Sequence, residues 1–253
     1  MNYQSHLFAP KLERIRHEVV KRRVLAVTGI VRVTPNMLRL TFTGDDLHDF
    51  ASHSPGDHIK LFVQDALGFV QMRDYTPRRF DTDARILVID FAFHEAGPAT
   101  LWAMQAKVGD KLEIGGPRGS LVISNVKNWL LVGDETALPS IGRRIEEAEA
   151  GQSFTSLVAV TGETERQTFK TPATHVSHWV YRPVAKAHDP APVITALKDI
   201  DIAPGTFVWI GIEAHVARAV RSYLTDERGV PLTMIRASGY WTMGVADAHD
   251  KLD

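Results

Sequence analysis

One short stretch combines side chains that bind phosphates and flat rings. In Arg73-Asp74-Tyr75-Thr76 the alternation of a β-strand places the guanidinium of Arg73 and the ring of Tyr75 on the same face. A planar cation beside an aromatic ring suits a ligand that has both a phosphate and a ring system. The same pair also occurs as an ordinary cross-strand contact on protein surfaces, so this stretch alone leaves both interpretations open.

A second stretch has the features of an anion site. Gly97-Pro98-Ala99-Thr100 follows a predicted strand and opens a predicted helix with proline. The free N–H groups of such a helix start bind anions, and the hydroxyl of Thr100 adds a donor for a pyrophosphate. A plain turn and helix cap would have the same sequence.

The composition limits where redox chemistry can come from. The 253 residues include 29 Lys+Arg, 30 Asp+Glu and no cysteine, and the formal net charge is −1. Without cysteine there is no thiolate metal site, no cysteine-ligated iron–sulfur cluster and no cysteine nucleophile, so redox chemistry requires a bound cofactor. A net charge near zero offers no basic field, and neither nucleic acid nor a membrane is expected as a partner.

Two further features concern metals and location. The eleven histidines are scattered rather than spaced as metal ligands, so no metal site is expected.

Residues 1–6 lack the apolar core of a signal peptide, and no stretch approaches the roughly 18 uninterrupted apolar residues of a membrane span. We therefore expect a cytoplasmic protein. A monomer is also expected, although no sequence feature argues for it.

The first half of the chain has the period-2 pattern of β-strands. Residues 37–43 place Leu38, Leu40 and Phe42 on one face, and residues 58–63 alternate in the same way. Further strands are predicted at 23–33, 71–76, 85–93 and 111–114, with a helix at 98–106 and a charged leading helix or arm at 11–21. Six short strands with one helical interruption predict a small closed antiparallel barrel.

After about Ser124 the pattern changes to alternating strands and helices. Residues 129–132 form a continuous apolar run, which is typical of a strand buried on both faces. Strands at 154–160, 175–181 and 206–210 are predicted to alternate with helices that begin near residues 138, 192 and 213. This alternation predicts a parallel sheet with helices on its faces.

The motifs follow one another in the order of a known flavoprotein family. They are 57–62, 73–76, 90–94, 97–111, 116–120, 133–139 and 239–241, and they span roughly residues 18–241. On these residues the chain resembles the siderophore-interacting proteins, cytoplasmic FAD-dependent reductases of ferric siderophores in the ferredoxin-reductase-like superfamily. The resemblance implies an N-terminal six-stranded FAD-binding β-barrel over 1–124 and a C-terminal α/β NAD(P)H-binding-like domain over 125–253.

The resemblance also implies which residues bind the cofactors. Tyr75 would pack on the isoalloxazine, Thr76 would lie near its N5, and the helix start after His94 would hold the pyrophosphate. The loop of Gly133, Asp134, Glu135 and Thr136 would meet the nicotinamide dinucleotide. The full set implied for FAD is Arg73, Tyr75, Thr76, Asp90, Phe91, His94, Gly97, Pro98, Ala99, Thr100, Trp102, Tyr240 and Trp241.

The resemblance assigns substrate docking to Lys60, Arg118 and Arg236, which match basic residues lining the family's chelate pocket. A ferric catecholate carries several negative charges, so two or three cations attract it strongly. No catalytic acid or base is expected, because the flavin passes electrons from NADH, NADPH or reduced ferredoxin to Fe(III). Reduction to Fe(II) weakens the hard-oxygen chelate and releases the iron.

Two other functions stay open at this point. A general flavin-dependent electron-transfer reductase would turn over acceptors regardless of their charge. A non-enzymatic chelate-binding protein would keep the fold without flavin. The chain also departs from many family members directly after Gly239-Tyr240-Trp241, where Thr242 takes the place of a basic residue.

Overall fold

The chain folds into two units. The computed structural model describes residues 9–17, 20–93, 97–245 and, for the backbone, 250–251. One unit is Glu13–Val122, and the other is Ile123–Asp253 together with the residues up to Leu12. The functional labels given to 1–124 and 125–253 stay predictions.

The first unit is built on an antiparallel sheet. Its elements are β1 (Lys11–Arg16), β2 (Arg22–Thr34), β3 (Met37–Thr43), β4 (Ile59–Gln64), β5 (Val70–Tyr75), β6 (Pro77–Asp81), β7 (Ile86–Ala92), α1 (Pro98–Gln105), β8 (Lys111–Gly115) and β9 (Gly119–Ser124). Seven strands pair in the order β5-β4-β8-β2-β3-β7-β6, and β1 pairs with β9. Only Thr76 separates β5 from β6 although they lie at opposite ends of this order. The sheet therefore curls into a half-barrel whose two edges approach each other at Thr76.

Strand alternation builds the core of this sheet. In β3 the side chains of Leu38, Leu40 and Phe42 are buried, whereas those of the residues between them are half-buried. The buried side chains join others from β2, β4, β7, β8 and α1 in one apolar cluster. The predicted antiparallel architecture and the predicted helix are confirmed.

Two local predictions for this unit were wrong. The sheet has seven strands instead of six, because Pro77–Asp81 forms an edge strand although its sequence begins with proline and lacks apolar alternation. The charged segment from Lys11 is a strand and not a helix. Its exposed charged side chains suit an edge, and the ladder with β9 decides its conformation.

The second unit is an α/β sheet. Its elements are β10 (Asn128–Asp134), α2 (Leu138–Glu146), β11 (Ser153–Val160), β12 (Thr174–Tyr181), α3 (Ala191–Lys198), β13 (Thr206–Glu213), α4 (Ala214–Ser222), β14 (Ile235–Trp241) and β15 (Asp250–Lys251). The order is β12-β11-β10-β13-β14-β15, with β10 to β14 parallel and β15 antiparallel. The predicted parallel sheet is confirmed, and β14 is a strand that the sequence pattern did not indicate.

Helices cover both faces of this sheet. Leu130 and Val132 pack with residues of α3 and α4, while Gly133 faces α2 so closely that an added Cβ would lie 2.7 Å from Ile141 Cδ1. The strand order reverses beside β10, which pairs with β11 on one side and β13 on the other. In open α/β sheets the carboxyl ends of the strands at such a reversal form the usual ligand crevice. Within the described residues, no helix is long and apolar enough to cross a membrane.

Candidate functional site

The two phosphate-and-ring motifs meet in the first unit. Arg73 and Tyr75 pair with Leu61 and Ile59 of β4, so they point to the face of β5 that carries the core. Burial raises the pKa of Tyr75 to about 12, although a hydrogen bond with Thr100 and the positive charge of Arg73 oppose the shift. Tyr75 therefore joins the end of β5 to the first turn of α1, and the two sequence motifs form one site.

The start of α1 leaves backbone donors available. Gly97 is its N-cap residue with extended backbone, Pro98 occupies the first turn, and no side-chain hydrogen bond caps the helix. The first N–H groups of a helix have no partner inside it, so those of Ala99 and Thr100 can donate to a phosphate. The side chains of Ala99 and Thr100 are buried, and their contribution comes from the backbone and the Thr100 hydroxyl. The predicted residue His94 lies outside the described residues.

An aromatic cluster supports Tyr75 from below. The centroid of the Tyr75 ring lies 4.6 Å from that of Phe91, which in turn lies 6.3 Å from that of Trp102. Phe91 is fully buried, so its side chain supports Tyr75 and faces no solvent. Trp102 is half-buried and packs against the same core. Phe91 thus packs against Tyr75, and Trp102 packs against Phe91.

Asp90 holds arginines. Its carboxylate is buried and accepts hydrogen bonds from Arg39 Nε at 2.6 Å and Arg39 Nη2 at 2.7 Å. The Nε of the buried Arg78 lies 3.7 Å from the same carboxylate. Asp90 thus holds the guanidinium of Arg39 on the neighbouring strand and lies close to that of Arg78, a positioning role that the resemblance did not distinguish from direct contact. A charge inside the apolar run Ile89-Asp90-Phe91 was the sequence signal for buried ionic partners.

The predicted docking residue Lys60 lies on the other face of the sheet. It alternates with the buried Ile59 and Leu61, and its Nζ lies 2.9 Å from Asp74 Oδ2. Lys60 pairs across the ladder with Gly115, the residue that precedes the Gly116–Ser120 turn. The exposed Arg118 sits in that turn, whose Gly116 packs against His58 and Ile59. The fold therefore brings the turn that carries Arg118 next to the start of β4, where Lys60 lies.

Buried polar groups fix both ends of this turn. At one end, Arg23 Nη1 donates to the carbonyl oxygen of Gly116 at 3.2 Å, and Arg23 Nη2 donates to Asp49 Oδ1 at 3.0 Å. Hydrogen bonds from Lys21 and Arg23 lower the pKa of Asp49 to about 2. At the other end, the Ser120 hydroxyl donates to the buried Asp57 at 2.6 Å. Sequence reasoning missed Arg23, because its partners Asp49 and Gly116 are distant along the chain.

The predicted nicotinamide loop is internally bonded. Asp134 is fully buried and accepts from Thr136 N at 2.9 Å, Glu213 N at 3.2 Å and Trp241 Nε1 at 2.8 Å. Glu135 is buried against Arg182, at 2.7 and 3.2 Å. Burial and the nearby charge of Asp134 raise the pKa of Glu135 despite its arginine partner. The two carboxylates therefore hold the loop together, and Thr136 is its half-buried residue that a ligand could reach.

We expect Asp134→Asn to destabilise the α/β unit by about 2 kcal/mol. The amide replaces one accepting oxygen by an N–H₂ group, which leaves buried donors without a partner. Denaturant unfolding followed by tryptophan fluorescence measures the loss. Asp201→Ala removes an exposed carboxylate of the same unit and should change the stability by less than about 0.5 kcal/mol. Equal stability of Asp134→Asn and the parent protein would contradict the structural role.

The end of β14 is tied to the same corner. Trp241 is buried and donates a hydrogen bond to Asp134. The ring of Tyr240 packs edge-on against that of Trp209, with the centroids 5.8 Å apart. Glu213 accepts from Met243 N at 3.3 Å and caps α4 through His215 N and Val216 N. The half-buried Arg236 lies on β14 beside Trp209. Lys60 and Arg118 belong to the first unit and Arg236 to the second, so a pocket of all three stays a prediction.

The first unit offers the donors that a flavin dinucleotide requires. Arg73 and the uncapped first turn of α1 supply charge and N–H groups for a diphosphate, and Tyr75 supplies a ring. Among the described residues, no group of three or more His, Asp or Glu side chains could hold a metal ion.

Comparison with known families gives two matches that together cover most of the chain. Residues 26–71 and 69–121 match the family model described as the siderophore-interacting FAD-binding domain. Residues 126–244 match the one described as siderophore-interacting protein. The first match contains Arg73, Tyr75 and the start of α1, and the second contains the parallel sheet.

Individual proteins are similar over nearly the whole chain. The NADPH-dependent ferric-chelate reductase of Escherichia coli is 31% identical over 252 residues, which cover 90% of this chain and 96% of that protein. The ferric vibriobactin reductase ViuB of Vibrio cholerae is 27% identical over 251 residues, covering 90% of this chain and 92% of that protein. The crystal structure of a siderophore utilization protein from T. fusca superposes with a TM-score of 0.87 at 33% identity, covering 94% of this chain and 98% of that one.

Proposed function

Since the chain belongs to the siderophore-interacting protein family, we propose that it is an FAD-dependent reductase of ferric siderophores. FAD, when bound, supplies the step from a two-electron donor to the one-electron acceptor Fe(III). Arg73 and the first turn of α1 bind the diphosphate, and Tyr75 orients the ring system. Lys60 and Arg118 attract the anionic chelate.

One observation carries this proposal. Tyr75 packs against the core cluster that contains Ala99 of the first turn of α1, so the end of β5 and the uncapped start of α1 meet inside the residues that match an FAD-binding domain. A ring-binding tyrosine, a cation and free N–H groups at one place are the features that a flavin dinucleotide requires. The names of the two relatives support a ferric chelate as the acceptor.

We propose a nicotinamide as the electron donor, and the name of the Escherichia coli relative supports this choice. A 2′-phosphate site needs a cation near the end of β11, where the exposed Arg166 lies with its Nη1 3.4 Å from Glu163 Oε1. Because Glu163 partly neutralises that arginine, the site gives no clear preference for a 2′-phosphate. NADH and NADPH therefore both have to be tested as donors. Reduced ferredoxin is the third donor. The cytoplasmic location and the monomeric state stay predictions.

The test begins with the colour of the purified protein. After reconstitution with FAD and desalting, we expect flavin absorption bands that stay with the protein. Anaerobic mixing with NADH, NADPH or reduced ferredoxin should bleach these bands, and a ferric tris-catecholate should restore them while a chelator traps Fe(II). Protein that retains no flavin would favour the chelate-binding alternative. Equal rates with neutral and anionic acceptors would favour a general flavin reductase.

A further inference from the structure

Four residues form one row across the outer face of the first sheet. Asp74 pairs with Lys60, Lys60 pairs with Gly115, and Gly115 pairs with Arg22. Directly paired residues of an antiparallel sheet point to the same face. Neighbouring strands lie about 4.8 Å apart, so Lys60 and Arg22 rise about 10 Å apart, on either side of a residue without a side chain.

The ring of the half-buried Phe62 fills the position between the two cations. A Cβ on Gly115 would lie 3.1 Å from Phe62 Cε2, so this ring covers the buried Gly115. The guanidinium of Arg22 stacks over the same ring, 4.1 Å from its centroid. The surface between Lys60 and Arg22 is thus an aromatic ring with a cation on each side, which suits an anion with flat aromatic rings.

Each cation is held by a carboxylate. Lys60 Nζ lies 2.9 Å from Asp74 Oδ2, and Arg22 Nη1 lies 2.9 Å from Glu113 Oε1. The other oxygen of Asp74 is buried and receives no hydrogen bond from the described residues. A buried carboxylate oxygen in that state can accept from a donor outside the described residues, such as a water or a ligand. The exposed Arg118 lies in the adjoining turn.

We propose that Arg22 is a further docking residue, which holds the anionic ferric chelate together with Lys60 across Gly115. This inference rests on the proposed function and names a contact that the predicted set of Lys60, Arg118 and Arg236 does not contain. Arg22 lies on the face of the sheet opposite to Arg73 and Tyr75. Its removal therefore acts on the chelate and leaves the flavin in place.

The experiment measures binding and turnover separately. The gallium(III) complex of a tris-catecholate has the charge of the ferric complex but does not accept an electron, so its titration into FAD-loaded protein reports binding alone. We expect Arg22→Ala to raise its Kd about fivefold at low salt, with a smaller effect at high salt. The KM for the ferric complex should rise in parallel, with kcat and flavin content unchanged.

Two control variants separate docking from other effects. Glu113→Gln breaks the Arg22–Glu113 pair but keeps the guanidinium, so it should not weaken binding. Lys111→Ala removes the same charge from the same face of β8, about 13 Å along the strand from Gly115, and should change Kd by less than about 1.5-fold. Equal weakening of binding by Arg22→Ala and Glu113→Gln would assign Arg22 a structural role. Equal weakening by Arg22→Ala and Lys111→Ala would show that the chelate responds to the positive charge of the whole face and not to a contact with Arg22.

The failure of this inference is distinguishable from that of the proposed function. Parent protein that binds the gallium complex and reduces the ferric one, together with an unchanged Kd for Arg22→Ala, would overturn the role of Arg22 alone. Parent protein that neither binds nor reduces the chelate would overturn the proposed function, and the role of Arg22 with it.

Discussion

Arg73→Ala should weaken FAD binding about 100-fold, or by ~2.7 kcal/mol. Arg73 lies on the core-side face of β5, on the same face as Tyr75, close enough for its charge to lower the pKa of that tyrosine. A guanidinium forms charge-assisted, bidentate hydrogen bonds to phosphate, and no neutral side chain replaces them. The flavin-to-protein absorbance ratio after desalting and a titration of the apoprotein with FAD both measure the loss.

Arg79→Ala is the matched control for this variant. Arg79 is an exposed arginine on β6, the next strand along the chain. Its replacement removes the same charge but leaves the proposed FAD site unchanged. We expect full flavin content in Arg79→Ala. Normal FAD affinity in Arg73→Ala would contradict the assignment of Arg73 to the phosphates. The uncapped start of α1 would then be their binding site.

Replacing Lys60 and Arg118 together by alanine should lower kcat/KM for a ferric tris-catecholate about 30- to 100-fold at low salt. Both cations lie at the end of the sheet where β4 meets the Gly116–Ser120 turn, and a multiply charged chelate interacts with both. The loss also leaves the carboxylate of Asp74 without its lysine, which adds repulsion. Stopped-flow rates over a range of salt concentrations should show a shallower salt dependence in the variant.

Flavin content separates this prediction from the first. Lys60 and Arg73 sit on opposite faces of the same strand pair, so the double variant should keep its FAD. The matched control replaces Lys111 and Arg79, which removes the same net charge from exposed positions elsewhere in the unit. Parent-like rates for the double Lys60 and Arg118 variant would refute the docking role, as would an equal loss in the control.

The two sets of variants together test whether the two faces of one sheet have separate functions. Changes on the core-side face of β5 should alter cofactor retention, whereas changes on the outer face should alter chelate affinity. This division follows from strand alternation, because neighbouring residues such as Arg73 and Asp74 point to opposite faces. A variant that alters both properties would indicate misfolding and not the loss of a single contact.

Much of the fold could be predicted from local patterns. Alternating residues in 37–43 specified a half-buried strand, and the apolar run 129–132 specified a strand covered on both faces. These predictions succeeded because burial of one face or of both leaves a direct mark on residue order. The strand Pro77–Asp81 could not be predicted in this way, because its side chains do not alternate between apolar and polar. Its pairing with β7 decides its conformation.

The candidate site divides in the same way. Arg73, Tyr75 and Thr100 could be proposed from the sequence as cofactor-binding residues, because a cation, a ring and a helix start are short-range features of the chain. The hydrogen bonds that Glu213 and Trp241 donate to Asp134 and the row that brings Arg22 to Lys60 could not. Each depends on register between strands that are far apart in the chain. The order of residues determined which chemistry the protein carries, and only the pairing of strands decided which charges share a face, because register is a property of the folded sheet.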